Sequence, residues 1–399
     1  GRRRKVDSYQ LLLRICGGLG IPPWMMWLSC YDPDGNSHGP DGAYHGKVIG
    51  AESYEADMLR RQFEHLLALG AAAAFGGAVP GVGELAADLP VPGLPADLPS
   101  RIGTVDVAML RGYREELGLL ARTHGGQARV AVALTQWADR WLTVDASDTA
   151  RRALLGELAH LHTITVWCCH DCGAPARSFY HFRRAVELAI QAGDSYQAAF
   201  ALRHAAMMLV ERERPNDALK AIQLGGVRLL DAPRDDSRVP VLQSWCHVVS
   251  ALALSRLDDS EPVRAQARRE LARSRDGWAP PHAHARATMD LDTAHVHLHL
   301  GKLDTAESAV TVSARTFGQS GDRREGVVAD ITRARLHVLT GDPAGLRLAE
   351  SAINATTQTR SGVARQVWLP TLAEALEARR GGDYAELARM ARQVATTRA

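Results

Sequence analysis

The chain has 399 residues, 46% hydrophobic and 23% charged, enough for two or three structural units with most of the length burying a core. Lys plus Arg number 47 against 45 Asp plus Glu, and a net charge of +2 excludes a heavily basic nucleic-acid coat. Lys5, Lys47, Lys220 and Lys302 are the only lysines, a skew towards Arg that fits a GC-rich genome rather than a chemical demand. Six unevenly spaced cysteines, with Cys168 and Cys169 adjacent, exclude a disulfide-stapled mini-domain and predict a reducing, cytoplasmic setting.

Residues 1–29 read as a small unit. A basic start, Arg2-Arg3-Arg4-Lys5, leads into a helix capped by Ser8 with Leu11, Leu12, Ile15 and Leu19 at helical spacing. Gly17, Gly18 and Gly20 end it, and Pro22-Pro23 prevents its continuation. Residues 30–103 read as a linker holding one Ala-rich helix, from about Glu52 to Ala74, before a stretch with Pro80, Pro90, Pro92, Pro95 and Pro99. Arg60-Arg61-Gln62-Phe63 and the weakly apolar run after it share the pattern of a twin-arginine export signal. The run is too poor in Leu and Ile for a membrane span, and a buried or linker-flanking helix is the better reading.

From Val105 onward amphipathic helical pattern dominates. Val105, Met109, Leu110 and Tyr113 make one face of the first helix, continued by Leu117 and Leu120 and ended by Gly125-Gly126. Val130, Leu134, Trp137, Trp141 and Leu142 begin the next. No long alternating β-branched run occurs, so residues 104–399 are predicted to be all-α. Helix pairs share a small residue, a turn glycine and a second small residue: Ala294, Gly301, Ala306; Ala334, Gly341, Ala349; Ala375, Gly382, Ala388; and, more loosely, Gly173 and Ala185. Gly301, Gly341 and Gly382 are 40 and 41 residues apart. A helical hairpin repeated every 40 residues or so is a solenoid unit, because one hairpin alone cannot bury its apolar face.

The repeats resemble degenerate tetratricopeptide units. The stretch Arg3 to Ile15 with Gly18-Leu19-Gly20-Ile21-Pro22 is similar to the last helix of a phage-repressor-type helix-turn-helix domain. Arg-Arg-x-Phe, the Ala-rich helix, Arg101-Ile102-Gly103, Asp106-Val107 and Gly125-Gly126 resemble the linker and first repeats of helix-turn-helix regulators that carry a tetratricopeptide sensor region. The resemblance implies a right-handed α-solenoid of tetratricopeptide-like hairpins preceded by a remnant of a helical DNA-binding domain. It implies the sensor and dimerisation region of a homodimeric transcription regulator, with a peptide or small-molecule effector. The reading helix of that family lies before Ser8–Leu19 and is not in this sequence. Arg2, Arg3 and Arg4 are then at most DNA-backbone contacts, which position without specifying sequence. The alternative is a stand-alone protein-binding scaffold that never touches DNA.

No constellation reads as catalytic. Cys168-Cys169-His170-Asp171-Cys172 is the densest group of potential metal ligands, but no second pair completes a zinc site, and thiols filling a helix contact are the simpler account. His295 and His299 have the spacing that zinc enzymes use, with Val296 where the zincin pattern needs Glu. The glycines between Gly70 and Gly83 lack the Lys-Ser/Thr of a phosphate loop. The sequence therefore predicts no enzyme, no cofactor, no metal and no membrane association.

In a tetratricopeptide array the first helix of each hairpin lines a concave groove. With Ala294 as the packing position, His295 and His299 face it. The same register places His160, Thr163, Trp167 and His170 there, then Arg203, Met207 and Glu211, then Trp245 and Arg256, then Arg335. Trp167, Arg203, Met207, Trp245, His295, His299 and Arg335 are the predicted ligand-binding residues, an aromatic and cationic lining suited to a peptide or a small acidic metabolite.

Overall fold

The computed structural model describes residues 98–274 and 282–397, all within the second of two compact units, residues 67–399. The predicted helix-turn-helix remnant, the Ala-rich helix, the twin-arginine segment and Arg2, Arg3 and Arg4 lie outside the described residues. The fourteen described helices are α1 (Thr104–His124), α2 (Ala128–Asp139), α3 (Asp148–Asp171), α4 (Pro175–Ala192), α5 (Ser195–Glu211), α6 (Pro215–Leu229), α7 (Arg238–Ser255), α8 (Glu261–Arg273), α9 (Ala283–His299), α10 (Leu303–Ser320), α11 (Arg323–Thr340), α12 (Ala344–Thr357), α13 (Leu369–Glu377) and α14 (Gly382–Thr396). A 3₁₀ turn, Arg140–Thr143, extends α2, and a π-helical turn, Ala364–Trp368, runs into α13.

Local sequence explains where the helices begin and end. The Ser147 hydroxyl accepts from Ala150 N–H at the start of α3, and Asp194 accepts from Gln197 N–H at the start of α5. Pro175 and Pro215 open α4 and α6, where a missing N–H costs nothing. Inside the hairpins, Gly173, Gly301 and Gly341 sit at φ 70°, 74° and 78°, and the residue after each glycine donates back five positions. This stops one helix and reverses the chain within two residues. At the last hairpin Gly381 is instead the N-cap of α14, at φ 137° and ψ 148°, and Gly382 already belongs to that helix, whereas the three earlier glycines end the first helix of their hairpin. At the second hairpin Glu213, at φ 58°, takes the positive-φ place that Gly173, Gly301 and Gly341 fill.

The helices pack as consecutive antiparallel pairs from α3–α4 to α13–α14, making an all-α solenoid of tetratricopeptide-like hairpins. Ala185, Ala294, Ala306, Ala334 and Ala349 are fully buried at the pair contacts, where their small side chains permit close approach. The first helices also pack on one another in order, α1 on α3, α3 on α5, α5 on α7, α7 on α9 and α9 on α11. Then α11 returns to α1, so the six inner helices form a closed ring instead of the open groove predicted from the repeat pattern.

The closure is held by backbone. Arg360 N–H donates to His124 O at 2.9 Å, and Gly126 N–H donates to Arg360 O at 3.2 Å. Gly362 is required at this seam, because a Cβ there would lie 2.4 Å from the Asp171 carbonyl oxygen. The apolar face predicted for α1 needs correction. Leu110 and Leu117 are buried with Val107, whereas Val105, Met109 and Leu120 are exposed. The helix carries apolar residues on two faces, so periodicity alone does not choose between them.

Candidate functional site

The inner helices line a half-open cavity of about 170 Å³, and all six first helices contribute to its wall. α1 supplies Arg122, α3 supplies Trp167 and Asp171, α5 supplies Arg203, His204, Met207 and Glu211, and α7 supplies Trp245. His284 and Asp292 come from α9, and Arg324 and Glu325 from α11.

Arg203 organises one side. Its guanidinium lies 3.5 Å from the centroid of the Trp245 ring, and Nη2 donates to Asp292 Oδ2 at 2.8 Å. Trp245 Nε1 donates to the same carboxylate oxygen at 3.0 Å. Burial pushes the Asp292 carboxyl up to about 6 and pushes the Arg203 guanidinium down, so removal from water outweighs the attraction between them on both sides. Trp167 Nε1 donates to His204 Nδ1 at 2.8 Å, and Arg203 Nη1 reaches the same nitrogen at 3.3 Å. The proton of His204 therefore sits on Nε2. Burial, with Arg203 beside it, holds His204 well below the usual imidazole range and so neutral.

Arg324 organises the other side. Its Nε lies 3.3 Å from Asp171 Oδ2, its Nη1 pairs with Glu325 Oε1, and its guanidinium stands 5.4 Å from the Trp167 ring centroid. Burial opposes its charge, but Glu325, Asp171 and Glu211 together raise its pKa above the usual value. His170 Nε2 and Glu211 Oε2 are 2.8 Å apart. At the rim, Arg122 reaches Asp322 at 3.3 Å, and His284 Nδ1 hydrogen-bonds Asp322 Oδ2 at 2.7 Å.

Of the seven predicted ligand-binding residues, Trp167, Arg203, Met207 and Trp245 come together on the cavity wall. His295, His299 and Arg335 do not line it. They belong to a neighbouring group centred on Trp368, where the His295 ring stacks at 4.0 Å between centroids and its Nε2 donates to Thr332 Oγ1. Arg256 stands 5.4 Å from the Trp368 ring centroid and donates from Nε to His299 Nε2 at 3.2 Å. Burial first, then Arg256 and Arg335, pushes His299 down to about 3. Among the described residues neither Arg256 nor Arg335 has a carboxylate within ion-pair distance.

Asp171, His204, Asp292, Arg324 and Glu325 were not selected from sequence. His204 adjoins Arg203, and Asp292 follows Leu291 on the helix that carries His295 and His299. Arg324 and Glu325 open their helix a full turn before the packing register begins, and ring closure is what brings them inward. The cysteines are structural in setting: Cys168 and Cys169 are buried, and burial raises both thiols, Cys169 to about 12. Among the described residues no cluster of three or more potential ligands is arranged to hold a metal ion, and no helix is long and apolar enough to cross a membrane.

No family model and no curated protein matches the chain. One solved structure, described as the crystal structure of Rap protein complexed with competence and sporulation factor, is similar at 12% identity and a TM-score of 0.42. The match covers 73% of this chain and 89% of that one.

Proposed function

We propose that the ring of hairpins is a ligand-sensing module that binds a small effector, or one end of a peptide, in its central cavity. The observation that carries this reading is the Trp245–Arg203–Asp292 assembly beside Trp167, a prepaid arrangement of aromatic faces and directed polar groups around open volume. About 170 Å³ is more than ten times the roughly 10–15 Å³ that a single water needs, and below the usual pocket size of about 300 Å³ or more. That favours a molecule of amino-acid or dipeptide size over a long extended peptide. Each cavity carboxylate is engaged by Arg, His or Trp, an arrangement suited to recognition rather than proton transfer, and the proposed role is non-catalytic.

The larger role we infer is that of sensor and dimerisation region of a cytoplasmic, DNA-binding transcription regulator, as the sequence resemblance implies. A ligand that binds the closed ring more tightly than an opened one would change how two copies present their DNA-binding parts. The alternative, a protein-binding scaffold without DNA contact, needs only the hairpin array.

The test has two arms. In a thermal-shift screen of peptides and metabolites, ligands that raise the Tm of the parent and bind at least fivefold more weakly to Trp245→Phe support the cavity as the sensing site. Ligands indifferent to both Trp245→Phe and Trp167→Phe bind elsewhere and sink it. Selection from a random duplex pool, using the protein with the sequence encoded upstream of Gly1, decides between regulator and scaffold: an enriched site supports the first and none supports the second.

A further inference from the structure

Three buried polar atoms on the cavity wall have no hydrogen-bond partner, and they fall into two chemical kinds. Arg203 Nε and His204 Nε2 are donors without acceptors. The first belongs to a guanidinium whose other nitrogens are held by Asp292 and His204. The second follows from the tautomer, since His204 Nδ1 already receives Trp167 and Arg203 and leaves an N–H on the far side of the ring. Asp171 Oδ2, in a side chain only 2% exposed, is engaged by the Arg324 Nε ion pair at 3.3 Å and by no well-aligned hydrogen bond. Its other oxygen is fully used by Ser361 and Val363. Arg324 pairs with two carboxylates, Asp171 and Glu325, whereas Arg203 pairs with one, Asp292, and Glu211 and Glu325 act on both guanidiniums. Trp167 connects the two ends, bonded to His204 and standing beneath Arg324.

A buried polar atom without a hydrogen-bond partner is costly, and a wall with unpaired donors at one end and, at the other, a carboxylate oxygen held only by an ion pair is complementary to a dipole. We propose that the cavity recognises an α-ammonium group with an adjacent carboxyl or carbonyl oxygen, the ammonium at Asp171 and the oxygen at Arg203 Nε and His204 Nε2. This rests on the ligand-sensing reading above and reverses one expectation from sequence: the ligand is not a simple acid, because the Arg203 and Arg324 charges are already matched. A free amino acid and the amino terminus of a peptide share this chemistry.

The experiment is calorimetric titration of the full chain with four sets of probes: free L-amino acids, their α-amides, their N-acetyl derivatives and the corresponding carboxylic acids lacking the amino group. At least one free amino acid or α-amide should bind, with its N-acetyl and desamino counterparts at least tenfold weaker. Equal binding of amide and free acid identifies a peptide amino terminus as the source, and preference for the free acid identifies an amino acid. Asp171→Asn keeps an oxygen for Ser361 and should lose tenfold or more for the ammonium-bearing probes. His204→Phe should do the same while preserving ring volume, and circular dichroism checks that both variants fold. If no ammonium-bearing probe binds, or if N-acetyl or desamino forms bind equally well, the inference is overturned. The ligand-sensing reading survives that outcome if a different molecule binds in a Trp245-dependent way, so the two failures are distinguishable.

Discussion

The Ser361 hydroxyl donates to Asp171 Oδ1 at 2.5 Å across 190 residues of sequence. The same Ser361 oxygen accepts from Ala364 N–H, so one side chain caps the π-helical turn that leads into α13 and fastens it to the end of α3. This contact lies at the seam where the backbone hydrogen bonds of Arg360 join the two ends of the array. Ser361→Ala removes the cap and leaves a fully buried carboxylate oxygen short of a donor, and about 2 kcal/mol of stability should go with it, measured by urea unfolding. Gly362→Ala is the sharper case, because its Cβ must displace the Asp171 backbone. Faster proteolysis between α12 and α13, at a near-native helical signal, is the expected result. Unchanged protection would mean the seam is not needed.

The Arg203–Asp292 pair predicts an asymmetry between its two deletions. Asp292→Ala leaves a guanidinium almost completely buried, with no route to neutrality, and should cost about 3–5 kcal/mol. Arg203→Ala leaves a carboxyl whose pKa burial already pushes up to about 6, so it escapes by taking a proton, still donated to by Trp245. The Arg203 variant should therefore be the more stable of the two at pH 7, and its deficit should shrink further at pH 5. Equal losses at both pH values would show that the pair is not buried as described. Truncating Trp245 remains the cleaner test of ligand binding, expected to weaken it by about 1–3 kcal/mol if the ring is an anchor.

Helix pairing was legible in the sequence because Gly301 and Gly341 punctuate it and Ala294 and Ala334 mark its contacts. Four of seven predicted groove residues reach the cavity for the same reason: helical register fixes which side of an inner helix a residue occupies. Register does not say whether an array closes. Closure depends on Gly126, Gly362 and the Asp171–Ser361 bond, residues with no periodic signature, and it moves Arg324 and Glu325 to the cavity. His295 and His299 do not line the cavity: His295 stacks on Trp368, which a π-helical turn delivers, and His299 accepts from Arg256. No hydrophobic pattern announces such a turn.

Glu213 offers a test of the turn chemistry. It occupies the left-handed position that glycine fills in the first, fourth and fifth hairpins, at φ 58°, and its side chain is exposed. A non-glycine residue there costs roughly 1–2 kcal/mol of backbone strain, partly offset because glycine gives the unfolded chain more freedom. Glu213→Gly should raise stability by about 0.5–1 kcal/mol, whereas Gly341→Glu at the matching turn should lower it by at least as much. Chemical denaturation of the two variants measures both, and a destabilised Glu213→Gly would show that the side chain contributes more than its conformation costs.

His181 fixes the direction of the acid response. It lies buried between α3 and α4, with its Nδ1 3.0 Å from His162 Nδ1, while His162 Nε2 faces Asp139 at 3.2 Å. One of the two Nδ1 atoms must donate and the other accept, which requires at least one neutral ring. Burial first, then His162, pushes His181 down to about 3, against about 6.5 in an unfolded chain. The folded form thus refuses a proton that the unfolded form accepts. Its contribution to stability is present above pH 6.5 and is lost progressively as the pH falls towards 3. Between pH 5.5 and 4 this one group steepens the loss by about 1.4 kcal/mol per pH unit. Asp292, raised rather than lowered, works in the opposite direction between roughly pH 4 and 6, so the total slope is not a clean measure. His181→Asn isolates the effect, since its amide replaces Nδ1 opposite His162 without titrating. The variant's stability should fall less steeply than the parent's over that window by about the same 1.4 kcal/mol per pH unit. Identical slopes would mean that His181 takes up its proton in the folded state and that the buried imidazole pair opens to admit it.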